Sequence, residues 1–216
     1  MTNILKENTI KGKRQVSQRK VARRRAVFNA TGDILLMDKL IFDIVIMQHE
    51  GGSKDNASDK HDKGGYTRYG ISQVWKDKID IMNCTEKEAF AFYQKYFFSR
   101  IETGHKGLDL FLFDSLVQHD RDACIWLQKA LGFTGSDLDG IIGSGTKRSV
   151  MKKFMYLPNG LDLIKDVAAL RMEHYMDLDD EYAERYHKGW SRRFCDILMT
   201  SCEMTLGASL LGSSVE

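Results

Sequence analysis

Apolar residues recur every three to four positions through most of the chain after residue 36, which is the period of a helix with one buried face. In the first such segment Leu40, Ile44 and Val45 share a face, and the pair Gly51–Gly52 ends the helix. The pattern continues at 89–98, 108–118, 122–131, 147–157 and roughly 160–187 and 190–206. About seven helices with no alternation of strand and helix predict a mainly α fold.

Local signals mark several helix ends. Thr85-x-x-Glu88 has the spacing of a capping box at the start of the second helical segment. Pro158 is predicted to end the fifth segment, because proline cannot continue a helix. The sixth segment is predicted to be interrupted near Asp179–Asp180, and the chain after Gly207 is predicted to be loose.

The stretch 51–71 breaks the helical pattern, since it is rich in glycine, aspartate, asparagine and serine and poor in apolar residues. This composition predicts a long loop or a small β-hairpin. Loops of this length inside compact domains are usually functional. The stretch is therefore the first place to look for a binding or catalytic site.

Glu50 stands at the junction between the first helix and this glycine-rich stretch. A carboxyl group packed against apolar neighbours holds its proton to higher pH than one in water, so a glutamate here suits the role of a general acid. The two glycines that follow let a bulky ligand approach the backbone closely. By position alone, however, a glutamate at a helix end is more often a solvated surface residue.

The composition fits a folded chain, because 43% hydrophobic and 10% aromatic residues in 216 supply a core that a disordered chain lacks. The charge is unevenly distributed. Residues 1–36 hold nine Lys/Arg against two acidic residues, a net +7, whereas residues 37–216 hold 23 against 28, a net −5. We predict a basic N-terminal extension at 1–36, a single domain at 37–206 and a loose tail at 207–216.

The four cysteines show neither C-x-x-C spacing nor the clustering of a disulfide scaffold, so we predict free thiols without a redox role. No apolar segment has the length of a secretory signal or a membrane span. The best candidate, 35–47, is interrupted by Asp38, Lys39 and Asp43. A substrate outside the cytoplasm would then be reached with the help of another protein.

A series of short motifs connects Glu50 with the rest of the chain. The run Glu50-Gly51-Gly52, then Asp62-Lys63-Gly64-Gly65-Tyr66-Thr67-Arg68-Tyr69-Gly70-Ile71, resembles the opening signature of the N4-type phage N-acetylmuramidases, glycoside hydrolase family 108. There E-G-G is followed by D-P-G-G-x-T-x-x-G-I. The downstream matches are Phe113-Asp114, Leu127-Gln128, Asp139-Gly140-x-x-Gly143-x-x-Thr146, Arg171 with Tyr175, and Gly189-Trp190-x-x-Arg193.

The resemblance spans roughly residues 38–200. It implies a lysozyme-like helical fold with a small hairpin after the catalytic helix, a catalytic half at about 37–105 and a peptidoglycan-binding-like half at about 106–206. The chain departs from the family pattern at Ser53, where the family has tyrosine, and at Lys63, where it has proline. Among the aspartates of the stretch, Asp62 rather than Asp59 keeps the D-x-G-G-x-T spacing.

The resemblance implies roles for three residues. Glu50 would protonate the leaving oxygen, Asp62 would be the second carboxylate, and Thr67 would hold a water through its hydroxyl. The alternatives are that Asp62 caps a turn beside the glycines and that Thr67 is simply a strand residue. The candidates to contact the glycan, each of which could instead pack or lie on the hairpin surface, are Tyr66, Arg68, Tyr69 and Gln73.

Two other features are predicted to belong to the fold rather than to the site. Six aromatic residues on one helix are expected to pack in the core, with at most one of the tyrosines contacting the glycan: Phe90, Phe92, Tyr93, Tyr96, Phe97 and Phe98. The segment 127–146 is expected to be integral to the fold, because an independent wall-binding module needs more chain.

Six histidines raise a zinc amidase as an alternative enzyme of wall degradation. The sequence contains no H-E-x-x-H motif, and the adjacent His49 and Glu50 diverge on a helix. No phosphate-binding loop of the P-loop type occurs either. We therefore predict no metal and no cofactor.

These features together predict a phage endolysin that cleaves the β-1,4 bond between N-acetylmuramic acid and N-acetylglucosamine. A lytic transglycosylase and a non-catalytic wall-binding phage protein remain the alternatives. Peptidoglycan strands are the expected partner of a monomer. For the basic extension we predict one of three roles. It binds anionic outer-membrane or wall polymers rather than nucleic acid, it docks on the acidic body, or it is a solvated tail. The expected location is the host cytoplasm, with holin-dependent release to the wall at lysis, and virion association is a further option.

Overall fold

The computed structural model describes residues 34–51, 66–178 and 181–212. The α-helices are α1 (Ile34–Phe42), α2 (Glu86–Tyr93), α3 (Ser99–Ile101), α4 (Lys106–His119), α5 (Arg121–Ala130), α6 (Ser144–Phe154), α7 (Leu157–Met176) and α8 (Glu181–Gly212). Two π-helical segments, Asp43–His49 and Gln94–Phe98, continue α1 and α2, and short 3-10 turns lie at Gln73–Trp75 and Gly135–Asp137. Strands β1 (Thr67–Arg68) and β2 (Ile71–Ser72) form an antiparallel hairpin in which Thr67 pairs with Ser72.

The prediction of a mainly α fold with a small hairpin after the first helix is confirmed. The predicted capping box is present as well: the Thr85 hydroxyl accepts from the backbone N–H of Glu88, whose side chain accepts from the backbone N–H of Thr85. None of the helices described is both long and apolar enough to cross a bilayer. The basic extension falls almost wholly outside the described residues, so its predicted roles stay predictions.

Helix α4 forms the centre of the body. Every residue from Gly107 to Leu116 is buried, and a helix that is largely apolar around its whole circumference belongs in a core. The last helix, α8, packs along α4. Helices α5 and α7 also contact α4. The polar residues of this buried stretch, Asp109, Asp114 and Ser115, each form hydrogen bonds, as burial of polar groups requires.

Gly107 allows α4 and α8 to approach closely. A Cβ built on Gly107 would lie 2.1 Å from the Thr205 hydroxyl oxygen and 2.3 Å from the backbone carbonyl oxygen of Ser201. Because the second atom belongs to a helix backbone, it cannot move aside without shifting α8. The two helices that carry the charged groups described below are therefore in register only while this position has no side chain.

We expect Gly107→Ala to lower the free energy of unfolding by about 1–3 kcal/mol, because the added methyl group overpacks the contact between α4 and α8. Urea unfolding would measure the change. Gly189→Ala is the matched control, since Gly189 lies inside α8 and its Cβ would meet nothing within 4 Å. That variant should gain up to about 1 kcal/mol from helix propensity alone. Equal effects of the two substitutions would contradict the close packing.

The aromatic residues of α2 and the π-helical segment after it form part of the core, as predicted. Phe92, Tyr93, Phe97 and Phe98 are buried, and Phe98 stacks on Phe113 of α4 with ring centroids 4.3 Å apart. This cluster joins the helix that follows the hairpin to the central helix. It thereby fixes the position of Tyr93, which contacts the site described below.

The segment between α5 and α6 is integral to the fold, as predicted. Gln128 of α5 is buried, and its side-chain amide donates to the Asp139 carboxylate at 2.6 Å and accepts from the backbone N–H of Gly140 at 2.8 Å. The loop therefore closes on α5 rather than forming a separate module.

Pro158 has a different role from the one predicted. Helix α6 ends at Phe154, and Pro158 lies in the first turn of α7. The first backbone N–H groups of a helix have no intrahelical acceptor, so proline loses nothing there, and its fixed φ angle suits the helix start. The prediction that Pro158 ends a helix is wrong, because it helps to begin one.

The boundary between the last two helices also differs from the prediction. Helix α7 ends at Met176 and α8 runs without interruption from Glu181, so the boundary predicted between 187 and 190 is wrong. The break lies close to the predicted interruption at Asp179–Asp180, which themselves fall outside the described residues. Helix α8 extends to Gly212 and so ends later than predicted. Gly207 lies inside this helix and does not end it, since a glycine is tolerated in a long helix where packing supplies the stability.

Candidate active site

Glu50 is positioned by the end of the first helical run. The π-helical segment Asp43–His49 leads to it, and the Glu50 backbone N–H donates to the carbonyl of Val45 at 3.1 Å. Such wide turns are frequent at functional sites. Gly51, with φ +84°, then turns the chain out of the helix. The Glu50 side chain is 25% exposed, so a ligand can reach it.

The β-hairpin packs its turn against Glu50. Tyr69 and Gly70 have φ angles of +52° and +71°, as the two central residues of a type I′ hairpin turn require. A Cβ on Gly70 would lie 3.1 Å from Cγ of Glu50 and 2.9 Å from the hydroxyl of Tyr93. That hydroxyl donates to the carbonyl oxygen of Tyr69 at 2.9 Å. The hairpin is thus anchored to α2 and held directly against the glutamate.

The Glu50 carboxylate is paired with a cation from the far end of the chain. Nη1 of Arg193, on α8, contacts Oε1 of Glu50 in a short ion pair. The sequence suggested apolar neighbours for this carboxyl group, whereas the structure places a guanidinium against it. An opposite charge in contact stabilises the ionised form of a carboxyl group.

Asp114 of α4 holds this arginine in place. Its Oδ1 accepts from Nε of Arg193 at 2.7 Å, and its Oδ2 accepts from Nη1 of Arg171 at 2.7 Å. Asp114 and Arg171 are both completely buried. A continuous row of alternating charges therefore connects the partly exposed Glu50 with the interior: Glu50, Arg193, Asp114, Arg171.

Arg171 of α7 is immobilised by its surroundings. Besides Asp114, its guanidinium donates to the Ser115 hydroxyl, to the Gln118 side-chain oxygen and, from both Nε and Nη2, to the Tyr175 hydroxyl, at 2.8–3.1 Å. The five N–H groups of a guanidinium can thus all be satisfied here. Such an arrangement fixes the geometry of the whole row.

The pKa values along the row follow from burial and charge. Burial alone would raise the pKa of Asp114, but the guanidinium groups of Arg193 and Arg171 outweigh it and hold that pKa below its usual value. Burial would lower the pKa of Arg193, but Asp114 and Glu50 raise it. Both groups are therefore charged at neutral pH.

The residues predicted to contact the glycan lie on the hairpin or directly after it. Tyr66 precedes β1 and is half-buried, and Arg68 on β1 donates to the carbonyl of Met82 at 2.8 Å. Tyr69 is 6% exposed, which leaves little of its ring open to a ligand. Gln73 is exposed in the 3-10 turn. Their contacts with a glycan stay predictions.

The predicted catalytic residues are described only in part. Thr67 lies on β1, two residues before the turn that packs against Glu50, and its role as a catalytic residue stays a prediction. Asp62 lies outside the described residues. Its role as the second carboxylate therefore stays a prediction.

His49 offers no sign of a metal site. Burial, followed by the nearby Arg193, lowers the pKa of His49 and keeps its ring neutral at neutral pH. Within the described ranges no group of three or more His, Cys, Asp or Glu residues is placed to hold a metal ion.

The sequence pattern pointed to Glu50 but assigned no role to Asp114, Arg171 or Arg193. A usable signal was present: each of the three stands among apolar residues on the buried side of a helix. Charged residues are almost never fully buried unless they are paired. The three residues on core helices therefore indicate that buried charge partners exist, although the sequence does not show which of them pair.

Two protein-family models match consecutive regions of the chain. The family model described as glycosyl hydrolase 108 matches residues 44–119, and the model described as predicted peptidoglycan domain matches residues 122–195. Among curated protein sequences no match to the chain was found. Glu50 and Asp114 fall in the first matched region, and Arg171 and Arg193 fall in the second.

The two matched regions follow one another directly and meet at the turn between α4 and α5. The ion pairs between Glu50 and Arg193 and between Asp114 and Arg171 cross that boundary. The peptidoglycan domain supports binding to peptidoglycan, and the hydrolase region supports cleavage of glycosidic bonds. The chain thus carries a region that matches the glycosyl hydrolase 108 family, followed by one that matches a peptidoglycan domain, and together they support a lysozyme-like glycoside hydrolase that degrades peptidoglycan.

Proposed function

We propose that the protein is an N-acetylmuramidase, which hydrolyses the β-1,4 bond between N-acetylmuramic acid and N-acetylglucosamine in peptidoglycan. The observation that carries the proposal is the placement of Glu50. The glutamate that matches the family's E-G-G motif lies partly exposed at a helix end, under the turn of a hairpin, and in contact with a buried ion-pair row.

Glu50 is the general acid in this proposal. Cleavage of a glycosidic bond needs a proton on the leaving oxygen, and a glutamate with one accessible side can deliver it.

Asp62 and Thr67 complete the proposed chemistry. The forming oxocarbenium centre needs either a negative charge or an activated water on its other side. Asp62 supplies the carboxylate and Thr67 holds the water. The support for these roles is the D-x-G-G-x-T spacing and the position of Thr67 on the hairpin whose turn packs against Glu50.

Digestion of purified peptidoglycan tests the bond that is cleaved. A muramidase should release muropeptides that end in a reducing N-acetylmuramic acid, which borohydride converts to the alcohol before mass spectrometry. Products lighter by one water and resistant to borohydride would identify a lytic transglycosylase. Products with N-acetylglucosamine at the reducing end would place the cut at the other glycosidic bond. Either result would overturn the proposal.

The biological role that we propose is that of a phage endolysin causing host cell lysis. A hydrolase of this family degrades the polymer that keeps a bacterium intact, so its release to the wall would lyse the cell. In this proposal it accumulates as a monomer in the host cytoplasm, and a separate membrane-permeabilising protein lets it reach the wall.

A further inference from the structure

Arg193 connects the proposed general acid with the interior of the protein. Its Nε is bound by Asp114, while its Nη1 contacts Glu50, and the side chain as a whole is 11% exposed. Its Nη2 is buried and has no hydrogen-bond partner among the described residues. The guanidinium is therefore fixed from behind and directs one N–H edge at the Glu50 carboxylate.

We propose that Arg193 is a positioning residue for Glu50: it fixes the orientation of the carboxyl group and sets the upper pH limit of activity. This inference rests on the proposed function of Glu50. It also means that the segment matched as a peptidoglycan domain supplies part of the hydrolase site, in addition to any role in holding the wall.

The groups around Glu50 single out Arg193 as the controlling charge. On its own helical run His49 is neutral at neutral pH, and on α2 the buried Tyr93 has a pKa raised by burial and then by Glu50, so it too is neutral. On α4 and α8, Asp114 and Asp196 are the nearby acids. Among these groups Arg193 is the cation, and it is the one in contact with the carboxylate.

The direction of the effect follows from the charge. A cation in contact with a carboxyl group favours its ionised form. Replacing Arg193 by a neutral side chain should therefore move the alkaline limit of activity to higher pH. A contribution to folding alone would instead change the rate by one factor at every pH.

The experiment is the pH profile of the initial clearing rate at low peptidoglycan concentration, which reports kcat/KM and hence the free enzyme. For Arg193→Gln we expect the alkaline midpoint of activity to move up by about 1–3 pH units. For Arg193→Lys, which keeps the charge, we expect the midpoint to stay near that of the wild type. Thermal melting of each variant shows whether the protein is folded across the pH range.

The outcomes separate this inference from the proposed function. If Glu50→Gln is inactive and a folded Arg193→Gln variant shows an unmoved alkaline midpoint, Arg193 does not control Glu50 and the inference is overturned. A downward shift would overturn it as well. If Glu50→Gln stays active, the proposed function itself fails, whatever the Arg193 variants show. Should Arg193→Gln not fold, a midpoint for Arg193→Lys that differs from the wild type by more than about 1 pH unit would contradict control by charge.

Discussion

Glu50→Gln should lower the rate of peptidoglycan clearing by about 100- to 10,000-fold, the range that a general acid contributes. The amide has the size of the carboxyl group but cannot deliver a proton to the leaving oxygen. It can still accept a hydrogen bond from Arg193, so the position of α8 should be retained. The measurement is the initial rate of turbidity loss of suspended peptidoglycan, with thermal melting to confirm the fold.

A matched control is Glu102→Gln. Glu102 is an acidic residue whose side chain is 52% exposed and lies 4.0 Å from Lys147, and it is not a member of the ion-pair row that contains Glu50. The same change of charge there should leave the clearing rate unaltered. Substantial residual activity in a folded Glu50→Gln variant would remove this residue from its role. An inactive wild type would instead favour a wall-binding protein without catalysis.

The wild type and the Glu50→Gln variant also test the proposed role in lysis. Bacteria that co-express the wild type with a membrane-permeabilising protein should lyse, whereas bacteria that co-express the Glu50→Gln variant should not. Wild-type cells without the permeabilising protein should stay intact. Lysis in its absence would contradict the proposed route of release.

Much of the fold could be predicted because its determinants are local. The spacing of apolar residues gave the helices, the Thr85 capping box gave the start of α2, and glycines marked the hairpin region. Each of these features depends on residues a few positions apart, which interact within one turn or one hairpin. The Pro158 error has the same origin, because a proline fits the start of a helix as well as the residues just after its end.

The electrostatics of the site could not be predicted in this way. Glu50 and Arg193 are 143 positions apart, and Asp114 and Arg193 are 79 apart. No local pattern relates residues at such distances, since they meet only after α4, α7 and α8 have packed. The sequence therefore identified the glutamate through its motif but suggested apolar surroundings where the fold supplies a guanidinium.

Arg171→Met should reduce the free energy of unfolding by about 3–5 kcal/mol, the cost of breaking a buried ion pair by removing one partner. Asp114 would still be paired with Arg193 but would lose its ion pair with the buried Arg171 guanidinium. The side-chain oxygens of Ser115, Gln118 and Tyr175 would lose the hydrogen bonds that this guanidinium donates. Methionine fills much of the same space, so the loss reflects charge and hydrogen bonds more than a cavity. Urea unfolding followed by tryptophan fluorescence measures it, because Trp190 stacks on Tyr175.

Two further variants decide what the loss means. Lys165→Met, on the same helix, breaks an exposed pair with Asp162 and should leave the unfolding midpoint unchanged. Arg171→Lys keeps the charge but cannot reach all the acceptors of a guanidinium, so its midpoint should fall between those of the wild type and Arg171→Met. A midpoint for Arg171→Met close to that of the wild type would show that the buried end of the row does not stabilise the fold. Because Asp114 holds Arg193, it would also weaken the case that this interior row fixes the orientation of Glu50.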